Sequence, residues 1–263
     1  MSGGAKVRFV GAGPGAADLL TFRGAKAIAA ADVVVWAASL VNAEVLAHAR
    51  PDAEIVDSSR LALEQVLALY VRARDEGLVV ARLQSGDPAF YGAMQEQIDA
   101  CEQLRLDWEI VPGVSSLGAA AAALGHELTI PEVAQSVILT RLASRTPMPA
   151  SESVRAFAAH RTTLALFLSA GRPRELQQQL LAGGYPPETP CAIAYRVSWP
   201  NELVIRCRLD ELAERIRQAK IHKTTLVLVG DALAASGTRS HLYHPNFAHE
   251  FRNRKTEAAG GRA

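Results

Sequence analysis

Short apolar runs, many of them β-branched, alternate along the first half of the chain with longer stretches in which apolar positions recur every three or four residues. Val7 to Val10, Val33 to Trp36, Ile55 with Val56, Leu78 to Leu83 and Trp108 to Val111 are the short runs, each of a length suited to a buried strand. Leu63, Val66, Leu67, Tyr70 and Ala73 keep helical spacing within the stretch that ends at Glu76, and Asp18 to Ala30 and Tyr91 to Cys101 read as two further helices. Strands alternating with helices predict a parallel sheet with crossover helices. Pro112-Gly113 ends the last of these strands, and alanine-rich Ser116 to Leu124 predicts a helix leading out of the first unit.

The second half has a different rhythm. Strand-like runs fall at Val137 to Thr140, Thr163 to Leu168, Cys191 to Tyr195, Val204 to Arg208 and Thr225 to Val229. Only Val197-Ser198-Trp199-Pro200-Asn201 lies at the centre of the third connection, too little for a helix, so these two strands are expected to form a hairpin and the second sheet to be mixed. Leu209, Leu212, Ile216 and Ala219 give one face of a helix from Leu209 to Lys220. The expected architecture is α/β with two α/β domains: a parallel-rich one over 1–113, a linker helix and connection over 114–136, and a mixed one over 137–255. A small, polar tail over 256–263 is expected to be disordered.

At 263 residues and 49% hydrophobic composition the chain can bury a substantial core. No apolar stretch approaches the roughly 18 residues of a membrane span. The first residues lack the apolar core of a secretory signal, and the chain reads as cytoplasmic. A net charge of +1 argues against a strongly basic nucleic-acid binder, so neither nucleic acid nor membrane is expected as a partner. Cys101, Cys191 and Cys207 are few and far apart in sequence, which suits buried thiols rather than a disulfide framework or a metal motif. His241, His244 and His249 have no acid or cysteine at a recognised ligand spacing; solvated or interface roles are expected, and no metal.

The chemistry concentrates in three loops. Val10-Gly11-Ala12-Gly13-Pro14-Gly15 and Ser85-Gly86-Asp87-Pro88 each follow a strand and open toward a helix, which places both at the carboxyl edge of the sheet, where ligands of such sheets bind. Gly11, Gly13 and Ala16 formally match the dinucleotide pattern. Pro14, however, removes a backbone N–H that a pyrophosphate would want, and Val33 to Trp36 runs into Ala37-Ala38-Ser39 without the acid that would hold a ribose. In Pro112-Gly113-Val114-Ser115-Ser116 one serine is expected to cap the next helix and the other to remain free for a ligand. Backbone groups, hydroxyls and the lack of a P-loop lysine suit a nucleoside-type ligand without phosphates.

These loops, together with Thr225-Leu226-Val227-Leu228-Val229-Gly230, resemble the tetrapyrrole methylases, and the resemblance covers nearly the whole chain. Trp36 to Asn42, Glu127 to Gln135, Thr140-Arg141 with Arg145-Thr146-Pro147, and Tyr195 to Pro200 resemble the branch that methylates precorrin-4 at C11. Ala16-Ala17-Asp18 keeps only the last acid of the family's usual continuation, and Ser85 stands where this branch more often has threonine.

The resemblance implies a homodimer that uses S-adenosyl-L-methionine, folded into the cleft between the domains, to methylate a precorrin. Carried over by position, the cofactor contacts would be Pro14, Ser85, Gly86, Asp87, Phe90, Ser115, Ser116, Leu168, Val197 and Thr225, with Thr224 fitting almost as well as Thr225. Methyl displacement from a sulfonium needs orientation more than a strong acid or base. Asp87 is the nearest acid for any proton transfer, with capping the next helix or holding backbone amides as its alternative role. Arg141, Arg145, Arg172 and Arg196, at or after strand ends, are candidates for the substrate's carboxylates. Methylation at another precorrin carbon and a non-catalytic tetrapyrrole carrier are the alternatives.

Overall fold

In the computed structural model, which describes residues 5–144, 146–236, 247, 248 and 250, the first half builds five strands: β1 (Lys6–Gly11), β2 (Val33–Trp36), β3 (Glu54–Asp57), β4 (Val79–Gln84) and β5 (Asp107–Val111). They lie in the order β3-β2-β4-β1-β5 and every pair is parallel, as the alternating pattern predicts. The helices α1 (Phe22–Ala29), α2 (Leu63–Glu76) and α3 (Gln95–Leu104) cover the two faces. Ala27 and Ile28 of α1 pack with Val10, Val34, Ala81 and Leu83, whereas Val66, Tyr70, Ile98 and Cys101 of α2 and α3 pack with Val7, Phe9, Val35 and Val80.

Two of the expected helices are shorter than their periodicity suggests. Ala17–Leu19 forms only a 3₁₀ turn, Leu20 turns extended, and α1 begins at Phe22 under a Thr21 side chain that accepts from Gly24 N at 3.0 Å. The helix expected from Tyr91 begins at Gln95, because Tyr91 and Ala93 adopt left-handed φ of 57° and 47°. That conformation cannot propagate a right-handed helix.

The second half contains β6 (Val137–Arg141), β7 (Thr163–Phe167), β8 (Pro190–Tyr195), β9 (Leu203–Arg208) and β10 (Thr225–Val229), with α5 (Val154–Ala158), α6 (Pro173–Ala182) and α7 (Leu212–Gln218). The order is β6-β7-β10-β8-β9, parallel only between β6 and β7, so the sheet is mixed and β8–β9 is the expected hairpin. Leu209–Glu211 of the last expected helix is a 3₁₀ turn. Cys191 and Cys207, distant in sequence, become direct partners across the hairpin as free thiols, and burial raises the pKa of both, Cys207 to about 11.

The helix α4 (Ser116–Leu124), within the expected linker helix and connection, packs on the second sheet. Its Ala119, Ala120 and Leu124 are buried with Ala165, Ala192, Ala194 and Leu228, small side chains on both sides allowing close approach. Among the described residues no helix is long and apolar enough to cross a membrane, and no three His, Cys, Asp or Glu side chains cluster as metal ligands. Arg145, the three tail histidines and the segment 256–263 lie outside the described residues.

Candidate functional site

The carboxyl ends of β1 and β4 are neighbours, and their glycine loops lock together. Gly86 N donates to Gly13 O at 2.7 Å, Gly13 N to Gly86 O at 3.2 Å, and Ala12 N to Gln84 O at 2.8 Å. The third loop closes on both. A Cβ on Gly11 would sit 2.5 Å from Gly113 Cα and 2.9 Å from Gly86 O, and one on Gly113 would sit 2.7 Å from Gly11 Cα. Real Cβ atoms do not approach backbone so closely, so glycine at both positions is a packing requirement. Asp87 ties the assembly: Oδ1 accepts from Ala89 N at 2.8 Å and Oδ2 from Gly113 N at 2.9 Å.

These loops form one wall of a cavity of about 330 Å³ whose other wall comes from the second sheet. Of the residues expected to meet a cofactor, Pro14, Ser85, Gly86, Phe90, Ser116, Leu168, Val197 and Thr225 line it, as do Thr224 and Arg196. Asp87 and Ser115 do not line it. Asp87 is committed to backbone amides, and Ser115 caps α4 by accepting from Leu117 N at 3.2 Å. Of the two serines carried over as cofactor contacts, Ser115 caps the helix and Ser116 lines the cavity. Leu168 is 71% exposed at φ 51°, an apolar side chain in a strained backbone position at the cavity wall.

The model of the family described as Tetrapyrrole (Corrin/Porphyrin) Methylases matches residues 6–213. The chain is a tetrapyrrole methylase. It is 45% identical over 253 residues to a cobalt-precorrin-4 C(11)-methyltransferase of Methanocaldococcus jannaschii, covering 96% of this chain and 98% of that protein. It is 46% identical over 239 residues to a precorrin-4 C(11)-methyltransferase of Mycobacterium tuberculosis, covering 90% of this chain and 95% of the relative. The X-ray structure of a cobalt precorrin-4 methyltransferase superposes with a TM-score of 0.85 at 39% identity, over 88% of this chain and 97% of the other. A uroporphyrin-III C-methyl transferase from Thermus thermophilus, solved in complex with S-adenosyl homocysteine, superposes with a TM-score of 0.73 at 30% identity, over 87% of this chain and 93% of that one.

The arginines of this methylase are dispersed. Arg141 borders a groove of about 510 Å³ with Tyr91, Thr140, Pro147, Glu152 and Phe157, where among the described residues its guanidinium donates to the carbonyls of Leu142, Thr146 and Pro147 at 3.2–3.5 Å. Arg196 is in the cleft, stacked 5.1 Å from the Trp199 ring and 5.7 Å from that of Tyr195. Arg172 is not brought to either place. It forms an ion pair with Glu175 at 2.8 Å, donates to Ala143 O, and borders a separate surface depression with Arg174 and Arg217.

Tyr91 is the residue that the motifs failed to single out. It lines both the cleft and the Arg141 groove, and its ring meets Phe167 of the opposite wall at a centroid distance of 5.2 Å. Burial pushes the phenol above its ordinary pKa, with Arg141 pulling it down. Its place immediately after the second glycine loop was the available signal. Leu40, within the Trp36 to Asn42 stretch but not singled out there, also lines the cleft, as do His222 and Lys223, which carried no motif signal.

Proposed function

We propose that this methylase transfers the methyl group of S-adenosyl-L-methionine to C11 of precorrin-4 or cobalt-precorrin-4 in cobalamin synthesis. The observation that carries the reading is the two-walled cleft, in which residues of both sheets that match the family's cofactor contacts meet around one cavity. Its size falls at the lower end of small-molecule pockets. Its lining suits a nucleoside: Phe90, Leu168 and Val197 supply apolar surface, while Ser85, Ser116, Thr225 and loop backbone supply donors and acceptors. Gly86, at φ 68°, leaves open the space that a Cβ would take beside Ser115 and Ser116.

When bound, the cofactor supplies an electrophilic methyl on a sulfonium. The chain's own task is to hold the two reactants in line, which can supply a large part of the rate. Asp87 serves this by fixing the second loop to the third through Oδ2, which accepts from Gly113 N, while Oδ1 accepts from Ala89 N within its own loop. We therefore assign it loop positioning rather than proton transfer. Arg141, in the groove that shares Tyr91 with the cleft, donates to backbone carbonyls and forms no ion pair among the described residues; Glu152 lines the same groove, and the Arg141 guanidinium is offered to a substrate carboxylate there. The reading includes a cytoplasmic homodimer acting without nucleic acid or membrane. The exposed apolar residues Ile55 on β3 and Trp108 and Ile110 on β5, both edge strands, support contact with a second copy.

Arg141→Ala tests the division between cofactor and substrate. Losing one charge-assisted hydrogen bond of about 1.5–3 kcal/mol should raise the tetrapyrrole KM roughly 10- to 100-fold. S-adenosylhomocysteine affinity, measured by calorimetry, should stay within about twofold. An unchanged tetrapyrrole KM would place the substrate on another surface, and a wild type that binds no S-adenosylhomocysteine would overturn the proposed function.

A further inference from the structure

The β8–β9 hairpin reaches across the cleft and grips the first glycine loop. Its turn bends through left-handed Arg196 (φ 46°) and Ser198 (φ 66°), and it is braced internally: Ser198 N donates to Glu202 Oε2 at 2.6 Å, Trp199 N to Arg196 O at 3.0 Å and Glu202 N to Trp199 O at 3.0 Å. This brace presents two side chains to the opposite wall. Trp199 Nε1 donates to Pro14 O at 2.9 Å, and Ser198 Oγ accepts from Ala16 N at 3.0 Å. Between these bonds lies Gly15, whose Cβ, if present, would be 2.5 Å from Trp199 Nε1 and 2.9 Å from Ser198 Oγ. Gly15 is thus bare to admit the indole. On its other side the same indole lies beneath Arg196, and both Pro14 and Arg196 line the cleft.

We infer that Trp199, with Ser198, is a positioning residue that sets the distance between the two walls of the cleft and so the affinity for the cofactor. This rests on the proposed function. One indole fixes a wall residue on each side: the N–H holds the Pro14 carbonyl, and the ring holds the Arg196 guanidinium. Tyr91 and Phe167 also meet across the cleft, ring against ring at 5.2 Å, whereas the contact at Trp199 is hydrogen-bonded to a glycine loop. Without it the first loop keeps its bonds to Gly86 and Gln84 but is left tied to the second sheet by the Ser198 Oγ bond to Ala16 N, with nothing holding the Pro14 carbonyl.

The experiment compares wild type, Trp199→Phe, Trp199→Ala, Gly15→Ala and the double variant Gly15→Ala with Trp199→Ala, reading S-adenosylhomocysteine Kd by calorimetry, KM and kcat for methyl transfer, and ligand-free Tm. Trp199→Phe, which keeps the ring and loses the N–H, should weaken S-adenosylhomocysteine about 5- to 10-fold, the scale of one hydrogen bond. KM for the methyl donor should rise in parallel, and kcat at saturation should stay within about twofold, a split that simple loss of folded protein does not produce. Gly15→Ala should lose affinity alone but cost nothing further once Trp199 is alanine, because the methyl then fills the space of the missing indole. Equal binding by Trp199→Phe and wild type, or fully additive losses for Gly15→Ala and Trp199→Ala, would overturn the positioning role while leaving the proposed function intact. Failure of the wild type to bind would overturn both.

Discussion

Gly113→Ala should destabilise the protein by about 3 kcal/mol, near the upper end for an overpacked site, and lower its Tm by roughly 6–12 °C. The added Cβ would fall 2.7 Å from Gly11 Cα and closer still to Gly86 O, and these are backbone atoms of two other loops with no side chain to swing aside. Because the same loops form the cleft wall, S-adenosylhomocysteine binding should fall with stability. Gly118→Ala is the matched control. Gly118 lies within α4 with nothing within 4 Å of its would-be Cβ, so alanine there should stabilise by about 0.5–1 kcal/mol through helix propensity. Calorimetric unfolding of the two variants should move Tm in opposite directions. A Gly113→Ala protein that melts with the wild type would mean the three loops do not interlock as described.

Gly86→Val should weaken S-adenosylhomocysteine about 100-fold. Gly86 lines the cleft at φ 68°, and a would-be Cβ is directed toward Ser115 and Ser116 with its nearest atom at 3.7 Å. There is room for the first carbon, so the fold should survive, at a cost of about 1–2 kcal/mol for the left-handed conformation and more for a β-branched residue. The two γ-methyls then occupy ligand space. Titration calorimetry on protein shown to be folded by its melting transition measures this, and wild-type affinity in such a protein would remove Gly86 from the cofactor site.

Both sheets were legible because their strands are short apolar runs, several of them ended by glycine or proline, and the hairpin because the seven residues Arg196 to Glu202 are too few for a crossover. The glycine loops were legible for the same reason: each follows a strand and interrupts it. What escaped depends on contacts between residues far apart in the chain. Gly15 reads as one more glycine of a ligand loop, yet its role is set by Trp199, on a strand connection of the other sheet. Tyr91 was read as the first residue of a helix, since periodicity cannot register a left-handed φ at a non-glycine residue. Arg172 was placed at the site by its position after a strand, although Glu175 three residues on, at the start of α6, offered the ion pair that holds it elsewhere. The alanine face of α4 was read only as part of a connection, because its partners are alanines of β7 and β8 and leucines of β10, all distant in the chain.

The central claim is regiospecific methyl transfer. The purified protein should be incubated with S-adenosyl-L-methionine carrying a ¹³C-labelled methyl and, in parallel, with precorrin-4 and cobalt-precorrin-4, the products being resolved by mass and NMR. A single added methyl on C11 of at least one of the two substrates is the result expected. A label on any other ring carbon, or no transfer to either substrate by protein that binds S-adenosylhomocysteine, would contradict it.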